Sequence, residues 1–262
     1  GMTTTSGGNL SIKDENGDVW ITPSGIDKGM LKRDDIMLIK RNGTIEGRHK
    51  PSSEYPFHLN VYEMRPDIGA VLHAHSPGMV AFSIVRKLPS TSLLPNVKGI
   101  CGELAIAEYA VPGSEELGAN IGAKFAEGCD TVLLENHGVV IGAENIWKAF
   151  QMFETIETSA QLEINATKLG KINKLTDEQI ESTTYKSRYS LSEFIPHQHS
   201  SEENAARRDL IKLIHRSYDM ELFTSTQGTY SVCLEDGSFL ITPYGKDRKY
   251  LGVEDIVLIR DG

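Results

Sequence analysis

One stretch of this sequence occurs twice, and the repetition restricts the possible folds more than any other feature. Residues 234–262 align without gaps on residues 14–42, and residues 224–232 match residues 4–12. The aligned identities include Thr22, Pro23, Gly25, Leu31, Asp35 and Ile36, which meet Thr242, Pro243, Gly245, Leu251, Asp255 and Ile256. Self-similarity of this density predicts a structural unit that is present twice.

The two copies have different surroundings, and this difference predicts the domain organisation. An amphipathic helix, expected near Asn204–His215, precedes the second copy only. We therefore expect residues 1–168 to form a catalytic module lacking its first helix, residues 169–200 a polar connector, and residues 201–262 a partial, non-catalytic second repeat with a structural or oligomer-forming role. The chain is then a segment of a longer two-module protein, or its start was assigned at the wrong position and its stop comes early. Alternatively, the second copy's helix docks where the first copy lacks one.

Charge and composition exclude several classes of partner. The formal net charge is -9, and such an acidic surface repels nucleic acid and anionic membranes. The first residues show neither a basic region nor an apolar run typical of a secretory signal. Three cysteines without paired spacing do not indicate a disulfide framework. We therefore expect a cytoplasmic protein.

Two histidines alternate in an apolar run and form the sharpest chemical signal. In a strand, His73 and His75 project to the same side and can both bind one metal ion. His137 follows a second apolar run, in an Asn-His-Gly corner that suits a left-handed turn. Three neutral imidazoles leave a fourth position open, as in catalytic zinc sites. The alternative is that these are core or surface histidines without a metal. His49 and His58 have no companion pattern.

Three short turns contain glycine and hydroxyl residues that suit phosphate. They are residues 6–9 (SGGN), 22–25 (TPSG) and 51–54 (PSSE). Backbone N–H groups in such turns, and at a helix N-terminus, bind anions. In the last turn Ser52 or Ser53 suits a helix N-cap, with Glu54 in the first helical turn. A capped surface helix without a ligand would explain these serines equally well.

Taken in order, the segments SGGN, TPSG, PSSE, HAH and ENHG resemble those of the class II aldolase/adducin family over residues 4–168. The resemblance implies a three-layer α/β fold, with a central, mainly antiparallel sheet flanked by helices, in a homo-oligomer that is commonly a tetramer. It implies zinc, or another divalent metal, on His73, His75 and His137, with Glu54 as the catalytic acid/base. It also implies that the phosphate of a sugar phosphate is held by Asn9, Ser24, Gly25, Ser52 and Ser53.

The resemblance further implies a lyase that performs retro-aldol cleavage of a ketose phosphate such as L-fuculose 1-phosphate, giving dihydroxyacetone phosphate and an aldehyde. A pentulose-phosphate 4-epimerase or a dehydratase would use the same site, and a non-enzymatic adducin-like association module is a third alternative. One expected feature is missing. The tyrosine that in this family helps to protonate the aldehyde fragment is absent from residues 92–95. Tyr109, further on, could substitute for it, but is interpreted as a core residue.

Overall fold

The computed structural model describes residues 4–183, 192, 196 and 198–260. It divides into two compact units, Gly1–Thr183 and Thr184–Gly262. Within the described ranges, no helix is both long enough and apolar enough to cross a membrane.

The first unit contains eight strands and six helices among its described residues. The strands are β1 Asn9–Lys13, β2 Val19–Ile21, β3 Met37–Ile39, β4 Ile45–Glu46, β5 Ala70–Ala74, β6 Leu104–Ala107, β7 Thr131–Leu134 and β8 Gly138–Ala143. The helices are α1 Tyr55–Met64, α2 Pro77–Ile84, α3 Val97–Cys101, α4 Glu115–Ala126, α5 Ile146–Leu169 and α6 Asp177–Glu181.

These strands form one sheet between two helical layers. The strand order is β4-β3-β2-β1-β5-β8-β7-β6, and every pair is antiparallel except β6–β7. One core lies under α1 and α4, around Phe57 and Phe125, and the other lies under α2 and α5, around Met79 and Ile156. The predicted three-layer α/β fold with a mainly antiparallel sheet is confirmed.

The central strand β5 divides its side chains between the two cores. Val71 lies in the core beneath α1, whereas Ala70 and Leu72 lie in the core beneath α5. Successive side chains of a strand point to opposite faces, so His73 shares the face of Val71. The edge of its ring contacts Phe57 of α1, with ring centroids 5.7 Å apart. The apolar pattern of β5 therefore directs His73 towards the start of α1.

Two local expectations were wrong. Helix α1 begins at Tyr55, and its N-cap is Glu54 rather than a serine. Strand β5 ends at Ala74, so His75 lies just beyond the strand. The first difference follows from the turn before α1, in which Tyr55 N donates to Ser52 O. The second follows from the start of α2, whose N-cap is Ser76, directly after His75.

The second unit is smaller and has its own core. It contains α7 Ser201–Asp219 and a sheet of β9 Ser231–Cys233, β10 Phe239–Ile241 and β11 Val257–Ile259, in the order β11-β10-β9. Leu210 and Ile214 of α7 pack with Leu240 and Leu258 of the sheet. The apolar stripe of the predicted helix is thus buried on the sheet of its own unit.

The local pairing within the two units corresponds residue for residue. Ser11 pairs with Ile21, and Ser231 pairs with Ile241. In both units two 3-10 turns follow the second strand: Lys28–Met30 and Arg33–Asp35 in the first, Arg248–Tyr250 and Val253–Asp255 in the second. The assignment of residues 201–262 to a partial second repeat stays a prediction. Within the expected connector, 169–200, the described part contains α6, and residues 184–191, 193–195 and 197 lie outside the described ranges.

Candidate metal centre

The three predicted histidines come together at one point. Their candidate ligand nitrogens all lie within 4.8 Å of one another. The Nε2 atoms of His73 and His75 are 2.9 Å apart. The ring centroid of His137 lies 4.8 Å from the ring centroid of His73 and 4.9 Å from that of His75. Together the three side chains could hold one metal ion.

The ring of His73 is held by the neighbouring strand. Its Nδ1 lies 3.0 Å from the carbonyl oxygen of Val139 in β8, to which it can only donate. The N–H is therefore on Nδ1, and the lone pair of Nε2 points at the cluster. A backbone carbonyl thus selects the tautomer whose Nε2 lone pair is available to a metal.

His137 is presented by the tight turn between β7 and β8. Asn136 has φ of 55°, in the left-handed region that asparagine tolerates, and the N–H of His137 donates to Leu134 O at 3.1 Å. The turn also approaches β5 closely. A Cβ on Gly138 would lie 2.5 Å from Ala74 O and 2.9 Å from Cδ2 of His75, so only glycine fits there. The predicted corner is confirmed.

Glu54 lies against the histidines, with its side chain buried. Its Oε2 is 3.4 Å from Nε2 of His73, and its Oε1 is 3.6 Å from Nε2 of His137. Asn9 Nδ2 donates to Oε2 at 2.8 Å. Burial raises the pKa of the Glu54 carboxyl, while the Asn9 hydrogen bond and the nearby His75 oppose the rise. A carboxyl with a raised pKa is suited to exchange protons near neutral pH.

The electrostatics fit a divalent cation. Burial lowers the pKa of His73, His75 and His137, so all three are neutral at pH 7 and their lone pairs are available. Among the described residues, Glu54 Oε1 and His137 Nδ1 are buried without a hydrogen-bond partner. Buried polar atoms of this kind need a partner, and a bound cation beside the carboxylate would supply one for Glu54.

The turns predicted to bind phosphate are joined to one another. Ser24 N donates to Lys50 O at 2.9 Å, and Ser52 N donates to Thr22 O at 3.2 Å. Ser24, Gly25 and Ser53 are exposed, whereas Ser52 is buried. The TPSG and PSSE turns therefore form one surface immediately before Glu54, on the chain that leads into α1.

Asn9 has a different environment from the other residues predicted to bind phosphate. It begins β1, pairs with His73 across the sheet, and directs its amide to Glu54. The structure therefore connects Asn9 directly to the expected acid/base.

Two residues differ from their interpretation in the sequence. His58 was given no role, yet it is fully buried, and its two ring nitrogens contact Ser11 and Asn9. Its position four residues after Glu54, on the same helical face, was the available signal. Tyr109 was interpreted as a core residue, and this was wrong: it is 55% exposed in the loop after β6. Its backbone N–H donates to Glu135, in the turn that carries His137.

Comparison with known proteins identifies the family. The profile of the Class II Aldolase and Adducin N-terminal domain matches residues 1–164. The chain belongs to the class II aldolase and adducin family. The match includes the whole histidine cluster and Glu54, and it ends within α5.

Individual members of this family resemble the chain over most of their own length. The 5-deoxy-D-ribulose 1-phosphate aldolase of Bacillus thuringiensis serovar kurstaki is 37% identical over 71% of this chain and 87% of its own. An L-fuculose phosphate aldolase of Methanococcus maripaludis is 36% identical over 60% of this chain and 84% of its own. A solved structure of L-fuculose 1-phosphate aldolase superimposes with a TM-score of 0.62 at 38% identity, covering 69% of this chain and 85% of the other.

Proposed function

We propose that this class II aldolase family member is a zinc-dependent lyase that cleaves a phosphorylated ketose by a retro-aldol reaction. Its substrate would be of the L-fuculose 1-phosphate or 5-deoxy-D-ribulose 1-phosphate type, and its products dihydroxyacetone phosphate and an aldehyde. The observation that carries the proposal is the buried Glu54 carboxylate against three neutral, converging histidines. Relatives named as aldolases of these two substrates support it.

The residues divide the chemistry between them. His73, His75 and His137 would hold zinc, which when bound supplies a Lewis acid for the negative charge that develops as the carbon–carbon bond breaks. Glu54 would move the proton on the dihydroxyacetone phosphate carbon. Its raised pKa and its contact with the cluster support this role.

Substrate binding is proposed for the joined turns. Ser24, Gly25, Ser52 and Ser53, together with Asn9, would hold the phosphate through hydroxyl groups, the Asn9 amide and the backbone N–H groups of Gly25 and Ser53. The N–H groups of Ser24 and Ser52 already donate within the turns. The hydrogen bonds between the TPSG and PSSE turns support a common anion site. Tyr109 is an exposed phenol tied to the turn of His137, and we assign it the protonation of the aldehyde fragment.

The experiment combines metal content with product analysis. Zinc would be measured by elemental analysis in the wild type, in His73→Ala/His75→Ala, and in His49→Ala, whose histidine pairs with Asp35 outside the cluster. Formation of dihydroxyacetone phosphate from each ketose phosphate would be followed with a coupled NADH assay. We expect near-stoichiometric zinc and turnover in the wild type and His49→Ala, and neither in the double variant.

The outcomes separate the alternatives. Substrate inverted at one carbon without dihydroxyacetone phosphate would indicate a 4-epimerase, and loss of water would indicate a dehydratase. A wild type that fails to take up zinc would overturn the catalytic proposal in favour of an adducin-like association module. Size-exclusion chromatography with light scattering would test the proposed homo-oligomer, and cell fractionation would test the cytoplasmic location.

A further inference from the structure

A row of five polar side chains runs from the interior of the first unit to the proposed acid/base. We propose that Tyr62, Ser11 and His58 form a one-directional hydrogen-bond relay that orients Asn9 and, through it, holds the Glu54 carboxylate against the metal centre. The inference deepens the proposed function and rests on it for the role of Glu54. His58, Ser11 and Tyr62 are positioning residues in this proposal, since their hydrogen bonds in the relay go to one another and to Asn9 and not to His73, His75 or His137.

The contacts of the relay are continuous and short. Tyr62 Oη lies 2.7 Å from Ser11 Oγ, which lies 2.7 Å from Nδ1 of His58. Nε2 of His58 lies 2.5 Å from Oδ1 of Asn9, and Nδ2 of Asn9 lies 2.8 Å from Oε2 of Glu54. No step is longer than an ordinary hydrogen bond.

The direction of the relay follows from the Asn9 amide. Asn9 directs Nδ2 to Glu54 and Oδ1 to His58, and an amide nitrogen only donates whereas an amide oxygen only accepts. His58 Nε2 must then donate to that oxygen. Burial lowers the pKa of His58 to about 3, and a neutral ring with a proton on Nε2 accepts at Nδ1. Ser11 therefore donates to His58, and Tyr62 donates to Ser11.

The spacing of the relay residues along α1 and along β1 explains why successive side chains of the two elements can contact one another. Glu54, His58 and Tyr62 recur every four residues at the start and along one face of α1, while Asn9 and Ser11 are two residues apart on one face of β1. Four helical residues advance by about 6 Å and two strand residues by about 6.8 Å. The helix and strand can therefore meet side chain to side chain over the length of the relay.

Burial makes the relay sensitive to any lost member. His58 is 0%, Ser11 2%, Asn9 5%, Tyr62 6% and Glu54 8% exposed, so water cannot readily replace a missing partner. An unpaired polar group in such surroundings is costly. Without the donor on His58, the Asn9 amide can turn its oxygen towards Glu54 and repel the carboxylate. Apolar side chains could join α1 to β1 without this constraint, which indicates that the polar row serves the group at its end.

Three variants and one control test the relay. His58→Leu removes both the donor and the acceptor at the centre of the relay, whereas His58→Gln keeps one of each. Tyr62→Phe removes the first donor of the relay. Thr131→Val removes a buried hydrogen bond to Cys101 O at the far end of β7, away from the relay. For each protein, kcat and KM for the ketose phosphate, zinc content and Tm would be measured.

We expect His58→Leu to lower kcat by roughly 10- to 100-fold, the cost of a misplaced catalytic group, with zinc content within about twofold of the wild type and with a raised KM, because Asn9 is also proposed to hold the phosphate. His58→Gln should recover part of the lost kcat, and Tyr62→Phe should lie between His58→Leu and the wild type. Thr131→Val should lose thermal stability but keep its kcat. A His58→Leu protein with kcat within twofold of the wild type would overturn the relay, as would equal kcat in the leucine and glutamine variants.

A second measurement does not depend on turnover. Nitrogen-15 NMR of the wild type should show the His58 ring proton on Nε2, protected from exchange with solvent. A proton on Nδ1 would reverse the relay and overturn the inference. An inactive wild type that shows the Nε2 proton would contradict the proposed function while supporting the hydrogen-bond relay.

Discussion

The carboxylate of Glu54 lies 3.4 Å from Nε2 of His73, although the two residues belong to a helix cap and a central strand. The contact exists because the face of β5 that carries His73 is turned towards the first turn of α1. It places the proposed proton carrier beside the proposed zinc ligands, although the two belong to different elements.

Replacement of the carboxylate should remove catalysis and leave the metal in place. Glu54→Gln keeps the size of the side chain but removes the carboxylate that is proposed to accept the substrate proton, so kcat should fall by about 10²- to 10⁴-fold. Zinc content should stay near that of the wild type because three histidines remain. Glu46→Gln, at an exposed ion pair with Lys40, is the matched control and should be fully active. A Glu54→Gln enzyme that retains a tenth of wild-type turnover would contradict the assignment.

Zinc should stabilise the folded first unit. Binding to the folded state alone stabilises by about 2.7 kcal/mol at a free ion concentration 100 times Kd, so removal by a chelator should lower Tm. Differential scanning fluorimetry with and without added zinc measures the shift. His137→Ala should show a much smaller shift, because the ligand that joins the turn to β5 is gone. An equal shift in both proteins would locate the bound zinc elsewhere.

The buried His58 should make folding dependent on pH. Its pKa is lowered to about 3 in the folded protein, against about 6.5 for an exposed histidine. Between these values the unfolded chain binds a proton that the folded chain does not, so stability falls as the pH decreases, by about 1.4 kcal/mol per pH unit from this residue. Above pH 6.5 both states are neutral and the contribution is constant.

Urea unfolding of the metal-free protein at several pH values between 4 and 7 measures this dependence. His58→Gln should show a shallower decrease than the wild type, since other titrating groups are common to both proteins. If the free energy of unfolding fell equally steeply with decreasing pH in both proteins, His58 would not be a source of the pH dependence.

Glu157 of α5 should be essential for stability. Its buried carboxylate accepts hydrogen bonds from Ser76 Oγ and from the backbone N–H groups of Gly78 and Met79, at 2.7 to 2.9 Å. Glu157→Ala leaves these donors without a partner at the start of α2, next to His75, and should cost about 3 kcal/mol or more.

Chemical unfolding measures the effect of this change. Glu127→Ala removes an exposed ion pair with Lys124 and should cost at most about 1 kcal/mol. Because the lost cap also releases the turn after His75, Glu157→Ala should bind zinc more weakly than the control. Similar stabilities for the two variants would be incompatible with this view of Glu157.

Replacement of Tyr109 should lower kcat without changing thermal stability or zinc content. Its side chain is exposed and belongs to none of the cores that the described residues form, so Tyr109→Phe should leave Tm and zinc content unchanged. Loss of its proton donor should lower kcat by about 10²-fold or more if it protonates the aldehyde fragment. Tyr244→Phe, at a fully exposed position in the second unit, is the control. Unchanged kcat in Tyr109→Phe would assign the proton to another donor.

The sequence predicted the parts of the site that depend on local patterns. Alternation along β5 indicated His73 and His75, and the Asn-His-Gly corner indicated the turn of His137. It could not predict the role of His58, because that role exists only when β1 and α1 lie side by side. The N-cap of α1 was misplaced by one or two residues because Ser52 uses its backbone carbonyl and side chain within the preceding turn. Tyr109 was misinterpreted because Ala107 and Ala110, close to it in the chain, are apolar and buried, while its own side chain is exposed.

Because Gly138 has no Cβ, the turn that carries His137 can lie close to His75. The space where its Cβ would lie is filled by the carbonyl of Ala74 and the ring of His75. A methyl group at this position would push the β7–β8 turn away from the end of β5. It would widen the separation of His75 and His137 without altering either imidazole. The spacing of two ligands therefore depends on a residue that contributes no side chain.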